Sequence, residues 1–182
     1  HYQGLGKSTS QFEFSAAFAD AENFTHWIIG AHSAPVDIVG HSFGGWVSLW
    51  VSSQLREKVN SITLLSPLSW LPEKKLLEGF VKQVKDERPN LLNGLAPDEI
   101  ADSWLKEYSV RPPLLLAQNI SSMQIEKKVF QARFDDLVPI QTTMQLTKTL
   151  GQNTSYVELD EDHRFSRNRE QIRGCLENVF SQ

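Results

Sequence analysis

The chain has 182 residues, of which 40% are hydrophobic and 22% charged. This composition is typical of one folded domain and excludes a largely disordered chain. A net charge of −4 without a basic stripe argues against a nucleic-acid partner, and no apolar run is long enough to predict a membrane span. The single cysteine excludes a disulfide framework and is typical of a reducing compartment, so we predict a cytoplasmic location.

The first part of the chain alternates between helix and strand patterns. After a glycine-rich opening, apolar residues at helical spacing predict a helix over residues 14–29. The β-branched run over 36–39 predicts a buried strand, and a helix is predicted over 44–55. A second strand is predicted over 61–65. Each strand is short and apolar, as expected for strands in the middle of a parallel sheet.

The middle of the chain, residues 68–122, has helical patterns only. One predicted apolar stripe contains Leu76, Phe80, Val81 and Val84, and another contains Ile100, Trp104, Leu105 and Tyr108. Pro97 and Pro113 stand where a first helical turn tolerates proline. We therefore predict a helical insertion with its own apolar faces.

The alternation of strand and helix resumes in the last third of the chain. Strands are predicted over 128–132 and 156–159, and helices over 139–150 and 168–180. Four strands separated by helices predict an α/β fold, in which a parallel sheet is covered by helices on both faces.

The strongest local motif is Gly40-His41-Ser42-Phe43-Gly44-Gly45, a G-x-S-x-G sequence between a predicted strand and a predicted helix. A tight turn of this kind lifts a serine hydroxyl above the sheet and makes it a candidate nucleophile. Glycine is expected two positions to either side of Ser42, because side chains there would collide. The N–H of Phe43 would point to the place where a substrate carbonyl oxygen becomes negative. The alternative is a glycine-rich turn with an incidental serine.

A serine nucleophile needs a neighbouring base to accept its proton. Of the five histidines in the sequence, only His163 lies after Ser42, and it follows the last predicted strand. Folds with this turn place the acid and then the histidine after the serine along the chain. The alternative is a surface histidine beside the acidic run Asp160-Glu161-Asp162.

The acid that orients the base is expected on the loop after the preceding strand. Asp135 and Asp136 both lie there, and spacing does not choose between them. Asp160 and Asp162 are poorer candidates, since they are too close along the chain to approach His163 from another strand.

These motifs together resemble the α/β-hydrolase superfamily, and specifically its small esterases and thioesterases. Gly4, Gly6 and Ser8 are similar to the G-x-G-x-S turn after the family's fourth strand. Residues 135–139 resemble its D-x-(I/V)-V-P turn, in which the first aspartate is the triad acid. The resemblance implies a triad of Ser42, Asp135 and His163, with Phe43 as an oxyanion donor.

The resemblance also implies a domain plan. Residues 1–67 and 123–182 would form the hydrolase core, with strands five to eight of the family sheet, and residues 68–122 would form a helical cap. His41, Trp70 and Trp104 are candidates for the substrate pocket, although packing within the cap is the alternative for the two tryptophans. The family's first strands and its His-Gly oxyanion loop have no counterpart here, so we expect a further N-terminal segment or a second chain to complete the sheet.

The sequence therefore predicts a serine hydrolase that cleaves a small-molecule ester or thioester without a metal or organic cofactor. The histidines lack the spacing of a metal-ligand cluster. One alternative is a non-catalytic binding or regulatory protein on the same scaffold. Another is the same triad acting on amide or carbon–carbon bonds.

Overall fold

The structure is a computed structural model that describes residues 12–87 and 95–180, with side chains up to residue 177. Four strands are present: β1 (Val36–His41), β2 (Val59–Leu65), β3 (Glu126–Phe134) and β4 (Thr154–Asp162). The helices are α1 (Phe14–His32), α2 (Phe43–Gln54), α3 (Lys74–Glu87), α4 (Pro97–Val110), α5 (Pro113–Ile120), α6 (Ile140–Leu150) and α7 (Arg169–Phe180), with a short 3₁₀ turn at Arg56–Lys58.

The four strands form one parallel sheet in the order β1-β2-β3-β4. This confirms the predicted α/β fold and the four predicted strands. The predicted burial of residues 36–39 is wrong, because β1 lies at an edge of the described sheet and Val39 is 38% exposed. Strands β1, β3 and β4 continue for two or three residues beyond their predicted carboxyl ends, whereas β2 ends at Leu65 as predicted. A polar residue or glycine directly follows the predicted end of each of the three longer strands, so the apolar pattern that marks a strand stops before the hydrogen-bonded ladder does.

The described residues form two compact units. The sheet unit contains residues 34–70 and 113–180 and holds all four strands. The helical unit contains residues 12–33, 71–87 and 95–112, and therefore holds α1, α3 and α4. The predicted plan of 1–67, 68–122 and 123–182 stays a prediction, but α1 groups with the helices of the middle segment and α5 groups with the sheet.

Apolar packing fixes the helices of the sheet unit. Trp46 and Leu49 of α2 are fully buried, and α2 packs against β1, β2 and α5. A second cluster contains Leu65, Phe130, Ala132, Leu159 and Phe165, and residues of α7 pack against it. These contacts hold the carboxyl ends of the strands, where the candidate site lies.

In the helical unit, the buried stripe of α3 differs from the predicted one. Leu77 and Val81 are buried at i, i+4 spacing, whereas Leu76 is 58% exposed. The prediction for Leu76 is wrong, because two adjacent leucines on one helix point about 100° apart and the unit covers only one of them. On α4, Ile100 and Trp104 are buried as predicted.

No helix in residues 12–87 and 95–180 is both long and apolar enough to cross a membrane. The predicted G-x-G-x-S turn at Gly4, Gly6 and Ser8 lies outside the described residues.

Candidate active site

Ser42 lies in the turn between β1 and α2 with a positive φ of 54° and a ψ of −120°, outside the left-handed helical region. Such angles are uncommon for a residue with a side chain and persist only where surrounding contacts hold them. The N–H of Ser42 donates to the carbonyl of Leu65 at 3.0 Å. The carbonyl of Ser42 accepts from the N–H groups of Gly45 and Leu68, both at 2.9 Å. The turn is therefore anchored on both sides of the serine.

Two glycines are required by the close packing of this turn. A Cβ placed on Gly40 would lie 2.2 Å from Oγ of Ser48 and 2.4 Å from the carbonyl oxygen of Gly44. A Cβ on Gly45 would lie 2.7 Å from the ring of Pro67. A Cβ on Gly44, by contrast, would meet nothing within 4 Å. The predicted collision is thus confirmed at Gly40 and wrong at Gly44, because the tight contact on the helix side falls one residue later.

His163 directly follows β4 and joins Ser42 to Asp135. The hydroxyl of Ser42 donates to Nε2 of His163 at 2.9 Å. Nδ1–H of His163 donates to Asp135, at 2.9 Å to Oδ2 and 3.0 Å to Oδ1. The side chain of His163 is 10% exposed and that of Asp135 is fully buried. The three predicted residues, which lie far apart in the sequence, form one continuous chain of hydrogen bonds.

The carboxylate of Asp135 accepts several other hydrogen bonds. Its Oδ1 accepts the backbone N–H of Leu137 at 2.9 Å and of Val138 at 2.8 Å. Burial alone would raise the pKa of Asp135, but hydrogen bonds from His163, Val138 and the Ser66 hydroxyl outweigh it and hold the pKa below its ordinary value. Asp135 is therefore a carboxylate at neutral pH, as a partner of an imidazole N–H must be.

The other nearby acids have different partners. Asp136 is exposed. Asp160 pairs with Arg133, and Asp162 accepts hydrogen bonds from the N–H and the hydroxyl of Ser166. The structure thus brings Asp135, and none of these three, to Nδ1 of His163.

Sequence reasoning missed two residues that support the site. Ser66 follows β2, is fully buried, and accepts the N–H of Ala132 at 3.2 Å while its hydroxyl contacts the Asp135 carboxylate. Its place after a strand, next to a proline, was the available signal. Glu161 is also fully buried, and its carboxylate accepts the N–H groups of Arg167 at 2.9 Å and Asn168 at 2.6 Å. Glu161 therefore holds the loop after His163, whereas its neighbour Asp160 is exposed.

An arrangement of this kind can activate a hydroxyl. The imidazole can accept the serine proton, and the buried carboxylate fixes its tautomer and stabilises the imidazolium that forms. Comparison with known proteins also supports a hydrolase, because residues 2–164 match the alpha/beta hydrolase family. The chain belongs to the alpha/beta hydrolase family. Family membership supports a hydrolase activity.

Solved structures of hydrolases share the fold of this α/β-hydrolase chain. An esterase from Exiguobacterium antarcticum superimposes with a TM-score of 0.72 at 15% identity, covering 100% of this chain and 80% of the esterase. A monoacylglycerol lipase from Paleococcus ferrophilus has a TM-score of 0.70 at 12% identity, covering 99% and 81% of the two chains. The 2-hydroxy-6-oxo-6-phenylhexa-2,4-dienoate hydrolase of Rhodococcus sp. strain RHA1 has a TM-score of 0.67 at 15% identity, covering 100% and 78%. No curated protein has significant sequence similarity to the chain.

The remaining predicted site residues of this α/β-hydrolase chain lie in different surroundings. Phe43 is the first residue of α2, and its ring packs edge-on against Trp46 with centroids 6.0 Å apart. Trp70 is half-buried, and its indole N–H donates to the carbonyl of Leu137 at 3.2 Å, next to the Asp135 turn. Trp104 is buried in the helical unit, where its ring packs against Phe14 with centroids 5.4 Å apart. This contact supports packing, the alternative considered for Trp104, and its role in a substrate pocket stays a prediction.

His41, the residue before Ser42, contacts the loop that carries His163. Its Nε2 lies 2.7 Å from the backbone carbonyl oxygen of His163. Part of the residue is exposed, yet packing of the ring lowers the pKa of His41 by desolvation, so the ring is neutral at pH 7. Within residues 12–87 and 95–180, no group of three or more His, Cys, Asp or Glu side chains is arranged to hold a metal ion.

Proposed function

We propose that this α/β hydrolase is a serine hydrolase that cleaves a carboxylic ester or thioester through an acyl-enzyme. The proposal depends on one observation, the unbroken hydrogen-bonded series Ser42–His163–Asp135 with both steps at 2.9 Å. Its support is chemical, because these groups in this order make a serine hydroxyl nucleophilic near neutral pH.

In the proposed reaction, Oγ of Ser42 attacks the acyl carbon while Nε2 of His163 accepts its proton. Asp135 keeps the proton of Nδ1 in place and stabilises the imidazolium. The N–H of Phe43, at the positive end of α2, contributes one donor to the oxyanion. Removal of one such donor typically costs about 3 kcal/mol of transition-state stabilisation.

The intermediate then collapses and His163 returns the proton to the leaving alkoxide or thiolate. A water molecule attacks the acyl-enzyme, with His163 again acting as base, and the carboxylic acid is released. Trp70 is proposed to border the substrate on the basis of its position next to the Asp135 turn. The substrate is proposed to be a small molecule.

A fluorophosphonate probe tests the proposal directly, since it phosphonylates only an activated serine. We expect the wild-type protein to be labelled, Ser42→Ala to lose all labelling, and Ser53→Ala to keep it. Ser53 is a matched control because it lies on α2 and its hydroxyl donates only within that helix, to the carbonyl of Trp50. Mass spectrometry of the labelled peptide identifies the modified residue.

Unlabelled wild-type protein with a native unfolding transition would contradict the proposal and favour the non-catalytic alternative. Labelling that survives in Ser42→Ala would place the nucleophile elsewhere. Turnover of matched ester, thioester, amide and β-diketone substrates then separates the bond types, because the same three groups serve all of them. We expect the ester and thioester to be cleaved fastest.

A further inference from the structure

His41 makes a hydrogen bond to the main chain of the loop that carries His163. Neither the proposed reaction nor the family match gives this bond a role. Nε2 of His41 lies 2.7 Å from the carbonyl oxygen of His163, although the residues are 122 positions apart. A carbonyl can only accept, so the proton of the neutral His41 ring is on Nε2. The distance of 2.7 Å is at the short end of the ordinary range for an N–H···O hydrogen bond.

Ring contacts fix the orientation of His41 as well. Its ring lies 5.0 Å from the ring of His163, and 5.7 Å from that of Phe165 in an edge-on arrangement. Phe165 has a left-handed backbone (φ 51°), and its N–H donates to the carbonyl of Asp162 at 2.9 Å. His41 therefore contacts a tight turn at two points, the carbonyl of His163 and the ring of Phe165.

The position of His41 in the sequence gives this contact its significance. His41 is the last residue of β1 and precedes Ser42. One short segment therefore carries both the hydroxyl of Ser42 and the imidazole that binds the loop containing His163. The segment itself is held in the sheet, since the N–H of Ser42 donates to Leu65. Two hydrogen bonds from adjacent residues therefore constrain the spacing between Oγ of Ser42 and Nε2 of His163. His41 binds the carbonyl of His163, and the N–H of Ser42 binds the carbonyl of Leu65.

We propose that His41 is a positioning residue: its Nε2–H holds the carbonyl of His163 and thereby keeps the imidazole within reach of the Ser42 hydroxyl. This inference rests on the proposed serine-hydrolase function. His41 does not touch the reacting atoms in this role. Displacements of about 1 Å in a catalytic group can cost about 100-fold in rate, so loss of one such tether has a measurable effect.

The decisive comparison uses two variants that carry the same amide but differ in reach. His41→Gln places an N–H donor near the position of Nε2, whereas the amide of His41→Asn is one methylene too short. We expect kcat for a p-nitrophenyl ester to fall about 10- to 100-fold in His41→Asn with KM unchanged, and His41→Gln to stay within about threefold of wild type. His41→Phe, which keeps the ring contacts and loses the donor, should behave like His41→Asn.

A spectroscopic measurement separates this inference from the proposed function. The proton on Nδ1 of His163, hydrogen-bonded to Asp135, should give a low-field ¹H NMR signal in wild type and in His41→Gln. We expect the signal to shift or broaden in His41→Asn and His41→Phe while their thermal unfolding midpoints stay within a few degrees of wild type. This readout needs no turnover, so it tests the tether even if the fluorophosphonate experiment contradicts the hydrolase proposal.

Equal kcat values and equal His163 signals in His41→Asn and His41→Gln would overturn the inference. Equal losses in both amides would overturn it too, since the ring and not the donor would then matter. If His41→Phe does not fold, the two amide variants alone decide the question.

Discussion

At the scale of single residues, the carboxylate of Asp135 determines the state of the base. Its Oδ1 is held by the N–H groups of Leu137 and Val138, so the carboxylate cannot rotate without losing them. Both of its oxygens then lie within 3.0 Å of Nδ1 of His163. The proton of the imidazole is thereby placed on Nδ1, which leaves Nε2 as an acceptor facing Ser42.

Asp135→Asn should remove activity while keeping the fold. The oxygen of the amide can still accept from Leu137 and Val138, but its NH₂ then faces Nδ1 of His163 and forces the imidazole proton onto Nε2. We expect kcat for an ester substrate to fall about 10⁴-fold, as for the wrong histidine tautomer in serine proteases. Steady-state kinetics and circular dichroism on the same samples provide the measurement.

Asp136→Asn is the matched control for this substitution, because Asp136 is the adjacent, exposed carboxylate. It should keep wild-type kcat. A large loss in Asp136→Asn together with an active Asp135→Asn would mean that the acid has been assigned to the wrong neighbour.

At the scale of elements, the turn from β1 into α2 depends on how closely the strand approaches the helix. Gly40 is the buried residue of β1 and lies directly below the first turn of α2, where the carbonyl of Gly44 accepts a hydrogen bond from the hydroxyl of Ser48 at 2.8 Å. There is no space for a methyl group between the two backbones. The strained angles of Ser42 follow from this approach, because the chain must reverse within about two residues.

Gly40→Ala and Gly44→Ala make a pair with opposite expected outcomes. The new methyl group at Gly40 would overlap backbone atoms, so we expect a loss of several kcal/mol or failure to fold. At Gly44 the methyl group points into open space on a helix, where alanine is up to about 1 kcal/mol better than glycine. Urea unfolding followed by tryptophan fluorescence measures both.

A Gly44→Ala protein that is as unstable as Gly40→Ala would show that the turn is packed differently. The pair also tests whether close packing requires both outer glycines of the G-x-S-x-G motif, since only Gly40 lacks room for a side chain.

At the scale of the whole molecule, the parallel sheet explains why the site exists at one edge. Each strand delivers one residue just after its carboxyl end: Ser42 after β1, Ser66 after β2, Asp135 after β3 and His163 after β4. Parallel neighbours place these ends side by side, so residues distant in the sequence come into contact. The network therefore forms only when all four strands are in register.

The pH dependence of global stability follows from the buried acid. The pKa of Asp135 is lower in the folded protein than its ordinary value of 3.8, so its charged form contributes stability above that value. This contribution is lost as the pH falls through the lower, folded pKa. The difference in unfolding free energy between wild type and Asp135→Asn should thus shrink as the pH falls below roughly pH 4.

Urea unfolding of both proteins above and below that pH provides the measurement, and other carboxylates cancel in the difference because both proteins contain them. A difference that persists unchanged to roughly pH 3, or grows there, would contradict the assignment of a depressed pKa to Asp135.

Much of this arrangement could be predicted from the sequence. The strands were found because buried parallel strands are short apolar runs, and the serine because a G-x-S-x-G motif between a strand and a helix has few other uses. His163 was the only histidine downstream of that serine. Local pattern and chain order were sufficient for these residues, since each follows the end of a recognisable strand.

Other features depended on contacts between distant parts of the chain. Spacing left Asp135 and Asp136 equivalent and the family resemblance favoured Asp135, but only the folded loop shows one carboxylate turned inward and the other exposed. The roles of Ser66, Glu161 and His41 have no local signature, because each acts on backbone or side-chain groups that the fold brings near. The need for glycine at position 45 and not at 44 comes from Pro67, which belongs to another loop.

The sequence by itself determined the order of strands and helices, the family, and three candidate residues, because hydrophobic periodicity and turn chemistry are local properties of the chain. Only the tertiary structure showed that Asp135 meets the base, as the resemblance implied, and it alone decided which residues hold the two loops in place and which glycines have no room for a side chain. Those outcomes are set by distances of a few ångströms between segments that the sequence separates by up to 122 residues.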